Sequence, residues 1–264
     1  MKTRLLLTAL LAGSLGTAHA QQTAKPEDTE VYEPVSNVVM PGKTTGDAPS
    51  DALVLFDGRD LDQWVLTSDH KAPASWTVAA GILTVKKDVG NIETKRSFGS
   101  YQLHLEWRIP ANISGTGQAR GNSGVFLAST GNGDLGYELQ IVDAYQNKTY
   151  VNGMAGSLYK QAIPLANPAR KPGEWQTYDV VWTAPVFDAG GALVSPAYAT
   201  VFFNGVLVQD HTALTGPTQY IGKASYQAAH GPLPIKLQAH GDKSEPLSYR
   251  NIWIRELPAA AAGK

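Results

Sequence analysis

The sequence contains no cysteine, so neither a disulfide nor a thiolate-bound metal can hold the chain together, and stability has to come from a packed core. Net charge is also scarce: 22 Lys and Arg stand against 23 Asp and Glu, with no basic run, which argues against nucleic acid or an anionic membrane as a partner. Beyond residue 20 no apolar run approaches the roughly eighteen residues of a membrane span, so membrane insertion is not expected. Helical periodicity, internal repeats and a glycine-rich dinucleotide fingerprint are missing as well.

What is present begins with "MKTRLLLTALLAGSLGTAHA", a basic start, an apolar centre and an Ala-x-Ala end, which reads as a signal peptide over residues 1–20. Cleavage after Ala20 predicts a periplasmic or secreted protein in which 20 basic residues face 23 acidic ones. Residues 21–50 are rich in Pro, Thr, Asp and Gly without periodicity and predict an extended arm. Residues 51–258 carry short runs of β-branched and aromatic residues, among them "YQLHLEWRIP", "SGVFLAS", "YELQIVDAY", "YDVVWTA" and "PIKLQAHG", separated by Gly, Asn, Asp and Pro. That spacing predicts a single all-β domain, an antiparallel β-sandwich of jelly-roll type, followed by a frayed tail over 259–264.

Alternation within these runs sorts the side chains by face. In "YQLHLEWRIP" the apolar Tyr101, Leu103, Leu105, Trp107 and Ile109 alternate with His104, Glu106 and Arg108. In "GYELQIVDAY" Tyr137, Leu139 and Ile141 oppose Glu138 and Gln140, which stand roughly 7 Å apart on one surface. In "PIKLQAHG" Ile235, Leu237 and Ala239 alternate with Lys236, Gln238 and His240. Three such faces predict a curved polar groove suited to sugar hydroxyls. Trp64, Trp76, Trp107, Trp175, Trp182 and Trp253 sit at apolar positions and are expected in the core.

Several motifs, in order, carry a resemblance: "ALVLFDGRDLDQW", "GNSGVFL", "YELQIVDAY", "NKTYVNGMAGSLY", "RKPGEWQTYDV", "VFFNGVLVQDH", "LQAHG" and "YRNIWIREL". From about Thr29 to Leu257 the chain resembles the 3-keto-disaccharide hydrolase family, which has a concanavalin A-like sandwich. The resemblance implies cleavage of glycosides whose glucose ring already carries a ketone at carbon 3. Such a ketone acidifies the hydrogen on carbon 2, so a base can form the enolate, the aglycone can leave from carbon 1, and water can add afterwards. The chemistry needs a base, donors for the enolate oxygen and an acid for the leaving oxygen. Because no dinucleotide fingerprint occurs here, a separate oxidoreductase would have to supply the oxidised sugar.

Glu138 and His240 are the candidate acid and base, and Gln140, Asn122 and Gln238 the candidate donors to sugar or enolate oxygens. Arg108 or Arg250 could supply positive charge, Glu106 lies in the "EWR" motif, and Tyr159 could stack on a sugar ring. Relatives in the family usually read "LQDHG" where this chain has Ala239, so no acid is expected to orient His240 from that position.

Two other functions fit the same residues. In a retaining glycosidase of laminarinase type, Glu138 and Asp143 would form a carboxyl pair about 5–5.5 Å apart, although in a regular strand they fall on opposite faces. A non-catalytic carbohydrate-binding sandwich would need a polar groove and no acid or base. Aspartates and histidines lack the spacing of a metal site, so no metal or other cofactor is expected; were a divalent ion used, Glu138 and His240 would be its candidate ligands.

Overall fold

The structure, a computed structural model, describes residues 24–258; the predicted signal peptide and the 259–264 tail lie outside the described residues. The chain divides into a unit that ends at Val38 and a second that starts at Val39. In the first, the described residues form one 3-10 turn, Pro26–Thr29, and are otherwise irregular.

The second unit is built almost wholly of strands. In chain order they are β1 Leu53–Phe56, β2 Trp64–Leu66, β3 Asp69–Pro73, β4 Thr77–Ala79, β5 Ile82–Thr84, β6 Ile92–Thr94, β7 Tyr101–Arg108 and β8 Ser123–Ser129. There follow β9 Gly136–Ile141, β10 Gln176–Thr183, β11 Val186–Phe187, β12 Leu193–Ser195, β13 Tyr198–Phe203, β14 Val206–Ala213, β15 Lys236–Leu237 and β16 Ser248–Glu256. An eight-stranded antiparallel sheet runs β14-β13-β10-β7-β16-β5-β4, with β1 also paired to β16. A six-stranded antiparallel sheet runs β3-β2-β6-β15-β8-β9. Two facing sheets with non-sequential neighbours make the β-sandwich jelly roll that the strand spacing predicts.

The alternating apolar residues meet between the sheets. Tyr101, Leu103, Leu105 and Trp107 of β7, with Tyr178, Val180 and Trp182 of β10, join Val125 and Leu127 of β8 and Leu139 and Ile141 of β9 in one buried cluster. Tyrosines also cross the core by hydrogen bonds: the Tyr178 hydroxyl donates to the Gln140 carbonyl at 2.8 Å, and Ser123 and Tyr249 share a hydroxyl contact of 2.9 Å. Each bond satisfies a polar group that burial would otherwise penalise by roughly 1–3 kcal/mol, and ties β8 or β9 to the opposite sheet. Trp175 and Trp253 depart from their expected places. Trp175 is only half-buried, beneath the Arg108 and Arg250 guanidiniums. Trp253 is buried on the outer side of the larger sheet, stacked on His104 at 5.4 Å, with its Nε1 donating to the Gly46 carbonyl of the 39–50 segment.

Register decides what faces outward on the six-stranded sheet. Glu93 pairs with Lys236, Lys236 with Phe126, and Phe126 with Glu138, so these four form one row across β6, β15, β8 and β9. Gly124 pairs with Gln140, and the Gln238 N–H donates to the Gly124 carbonyl, which forms the adjoining row.

Candidate active site

Strand β9 is the last in its sheet, yet its free edge is covered. The Tyr159 N–H donates to the Glu138 carbonyl, the Gln140 N–H to the Ser157 carbonyl, and the Thr218 N–H to the Gly136 carbonyl. Covering an edge in this way prevents strand addition and also brings two loops to the rim of the polar face. Between them lies a pocket of about 110 Å³.

Asn122, Glu138, Gln140, Tyr159, Gln238 and His240 line this pocket together. Glu106, Arg108 and Arg250 do not, and here the expectation of one shared groove is corrected. Strand β7 belongs to the eight-stranded sheet, so the face opposite its core residues is the outer surface of that sheet. There Arg250 pairs with Glu106 at 2.7 Å, and the guanidinium carbons of Arg108 and Arg250 lie 4.5 and 4.2 Å from the Trp175 ring centroid. Alternation identifies residues that share a face, but it cannot say which sheet owns the strand.

Glu138 is the most perturbed acid in the pocket. Its carboxyl is buried, accepts no hydrogen bond from the described residues, and is pushed up to about 8 by burial first and by the Asp134 carboxylate second, against the opposing pull of the Lys236 ammonium. At neutral pH it is therefore mainly a protonated carboxylic acid. Lys236 is fully buried, and burial pulls it down to about 8. Its three ammonium donors are all used, on the carbonyls of Gly131 at 2.6 Å, Gly133 at 2.9 Å and Leu135 at 2.8 Å, which holds the protonated form and anchors the loop bearing Asp134.

His240 is oriented by a carboxylate after all, one two residues further along. Its Nδ1 lies 2.8 Å from Asp242 Oδ2, and hydrogen bonds from His240, Ser244 and Lys87 hold the Asp242 carboxyl well below the usual range despite its burial. Nδ1 also lies 3.2 Å from the Asp242 nitrogen, but the ionised carboxylate is the stronger partner; with Nδ1 donating to it, Nε2 holds the lone pair and faces the pocket, where Asn122 Nδ2 is 3.5 Å away. Ala239 thus leaves no gap.

The amides are arranged by a hub that the sequence did not signal. Gln118, in the 3-10 turn Gly117–Ala119, accepts from Gln140 Nε2 at 3.1 Å on its side chain and from Asn122 Nδ2 at 2.9 Å on its carbonyl. Gln238 leaves its side-chain Oε1 buried and without a hydrogen-bond partner among the described residues, an unsatisfied acceptor in the wall of the pocket. Asp134, Thr218 and Tyr220 complete the lining. They sit on irregular loops where no periodicity exists to expose them.

Asp143 turns elsewhere. It is buried in an ion pair with Arg120 at 2.6 Å and accepts the Tyr145 N–H at 3.0 Å, so it holds the loop that follows β9 and does not line the pocket. No group of three or more His, Asp or Glu among the described residues is arranged to hold a metal ion.

The geometry has relatives. A model of the 3-keto-alpha-glucoside-1,2-lyase-like domain matches residues 51–255. The chain is similar to the crystal structure of a candidate glycosyl hydrolase from Parabacteroides distasonis ATCC 8503, with a TM-score of 0.81 and 48% identity over 94% of this chain and 100% of that one. A second candidate glycosyl hydrolase from the same organism shares the fold, with a TM-score of 0.55 and 22% identity over 78% of this chain and 99% of that one. No curated protein matches. A carbohydrate-active site of hydrolase or lyase type fits both the family and the closely similar structure, and the chain belongs to the family of 3-keto-alpha-glucoside-1,2-lyase-like domains.

Proposed function

We propose that the protein cleaves 3-keto-glucosides by elimination across carbons 1 and 2 followed by hydration. The observation that carries this is the pairing, in one small pocket, of a buried neutral carboxyl, Glu138, with an imidazole, His240, whose Nδ1 is held by Asp242 and whose Nε2 faces the pocket. His240 Nε2 takes the proton from carbon 2, and the electrons of that C–H bond form the enolate. The bond from carbon 1 to the aglycone oxygen breaks, and that oxygen takes the Glu138 proton. Water then adds to carbon 1 as the Glu138 carboxylate removes its proton, and the His240 imidazolium returns a proton to carbon 2. Acid and base finish as they began. The amides of Gln140 and Asn122, and the rim of Tyr159, support the reading as donors to ring oxygens and to the enolate.

The oxidised sugar is supplied by a separate oxidoreductase in this reading, and the leader at residues 1–20 makes the site of action periplasmic or extracellular. A second reading draws on Asp134, which brings another carboxyl into the pocket: with Glu138 it could form the acid pair of an ordinary glycosidase. Purified protein incubated with a chromogenic glucoside and its 3-keto derivative separates the two. Release of the aglycone from the keto compound alone is expected. Release from the plain glucoside would favour the carboxyl pair, and release from neither would leave a binding module.

A further inference from the structure

A second cavity, of about 310 Å³, adjoins the pocket just described. The two share Thr218 as a wall, and Leu135 and Gly136 of the second follow Asp134 of the first in the chain. Gly136 is two residues before Glu138 on β9, so its Cα lies only roughly 7 Å along the strand from the acid. The linings contrast. Carboxyls, amides and an imidazole surround the first, whereas Leu135, Pro217, Ala228, Ala229 and Leu233 line much of the second, alongside Thr130, Gln219, Ser225 and Gln227.

His230, which also lines the second cavity, offers it no free polar nitrogen. Its Nδ1 is 2.9 Å from the Gly231 carbonyl and must donate, which makes Nε2 the acceptor for the Tyr137 hydroxyl at 2.8 Å. Phe187 and Tyr137 pack on the imidazole at 5.5 and 5.6 Å between ring centroids. What this histidine presents is a ring held rigid by its neighbours. The catalytic pocket, at about 110 Å³, is well below the roughly 300–1,000 Å³ of common ligand sites, while the second cavity falls at the lower end of that range.

We infer that the second cavity is an aglycone subsite, and that it takes a flat apolar or aromatic aglycone rather than a second sugar. The inference rests on the glycoside reading of the catalytic pocket. A sugar in that position would set much of its surface against Leu135, Pro217, Ala228, Ala229 and Leu233, with Gln227 and Ser225 already bonded to each other and both His230 nitrogens engaged, whereas an aryl ring loses nothing by burial there.

Calorimetric titration of phenyl and methyl 3-keto-glucosides tests it, in the wild type and in Ala228→Trp and Ala229→Trp, which fill the cavity from exposed positions. The phenyl compound is expected to bind the wild type at least tenfold more tightly than the methyl compound. Both variants should lose that preference and keep methyl binding within about twofold. Equal affinity for the two compounds, no binding of either, or a phenyl preference that survives both variants would overturn the subsite. Because the readout is binding, a protein that prefers the phenyl compound yet cleaves neither would refute the proposed reaction and retain the subsite, and one that cleaves both while binding them equally would do the reverse.

Discussion

Glu138 lies over Gly124, its diagonal neighbour across the β8–β9 ladder. A Cβ at Gly124 would stand 2.5 Å from Glu138 Oε1 and 3.1 Å from its Cγ, so the acid occupies room that only a glycine leaves. Gly124 has ordinary extended backbone, and the missing side chain is what matters.

Gly124→Ala should therefore displace the carboxyl while leaving the strand intact. The expected result is a fall in kcat/KM on a 3-keto-glucoside of roughly 10–100-fold, the cost of a misplacement of about 1 Å, with little change in urea midpoint because the side chain that yields is flexible. Steady-state kinetics with parallel unfolding curves check it. Equal activity of wild type and variant would show that the position of Glu138 is not catalytic.

Glu138→Gln should cost activity and add stability. Removing the acid should lower kcat by roughly 10²–10⁴-fold. Because folding raises this pKa to about 8, the folded state binds the proton more tightly than the unfolded chain. The stability linked to that proton is present below about pH 4.5 and is lost as pH rises towards 8, so the variant should gain on the wild type across that window, by on the order of 3 kcal/mol at pH 7. Urea titrations at pH 5 and pH 8 measure the gap, and two parallel stability curves would contradict a buried neutral acid.

Asp242→Asn should leave His240 without the carboxylate that sets its tautomer. A loss of roughly 10–100-fold in kcat/KM on a 3-keto-glucoside is expected, read by steady-state kinetics. Lys87 also gives up its carboxylate partner, at 3.0 Å, so unfolding at lower urea should accompany the kinetic effect.

The outer face should behave in the opposite manner. His104 is buried there at 2.6 Å from Asp179 and 3.8 Å from Glu106. Burial alone would lower its pKa, but the bonds to Asp179 and Glu106 outweigh it and raise it to about 9. Its contribution is fully present below about pH 6.5 and disappears as pH climbs through 9, so His104→Gln should destabilise by on the order of 3 kcal/mol at pH 6 and by far less at pH 10. Neither this variant nor Arg250→Ala should change kcat/KM by more than about twofold. A tenfold loss in either would return the outer face to the site.

Much of the site was legible because strand chemistry is local. Glu138 and Gln140 share a face in any register, and Gln238 and His240 share one too, so the polar sides of β9 and of the 236–240 segment could be read directly. Asp242 was hidden because its role depends on a turn after the strand, and "HGDKS" has no period to display it. Asp134, Thr218 and Tyr220 were hidden for the same reason, while Gln118 acts through hydrogen bonds that join segments far apart in the chain.

The sequence by itself determined the all-β class, the absence of covalent or thiolate staples, the inward set of apolar residues on the alternating strands β7 and β9 and the resemblance of its motifs. Tertiary structure alone decided that β7 lies in the other sheet, which sends Glu106 and Arg108, with Arg250 of its neighbour β16, to the far side of the molecule from Glu138. Alternation is set by the two-residue repeat of one strand, but sheet membership is set by which strands pair and by how the two apolar faces meet, and both sandwich layers have an outward polar side that reads alike in one dimension.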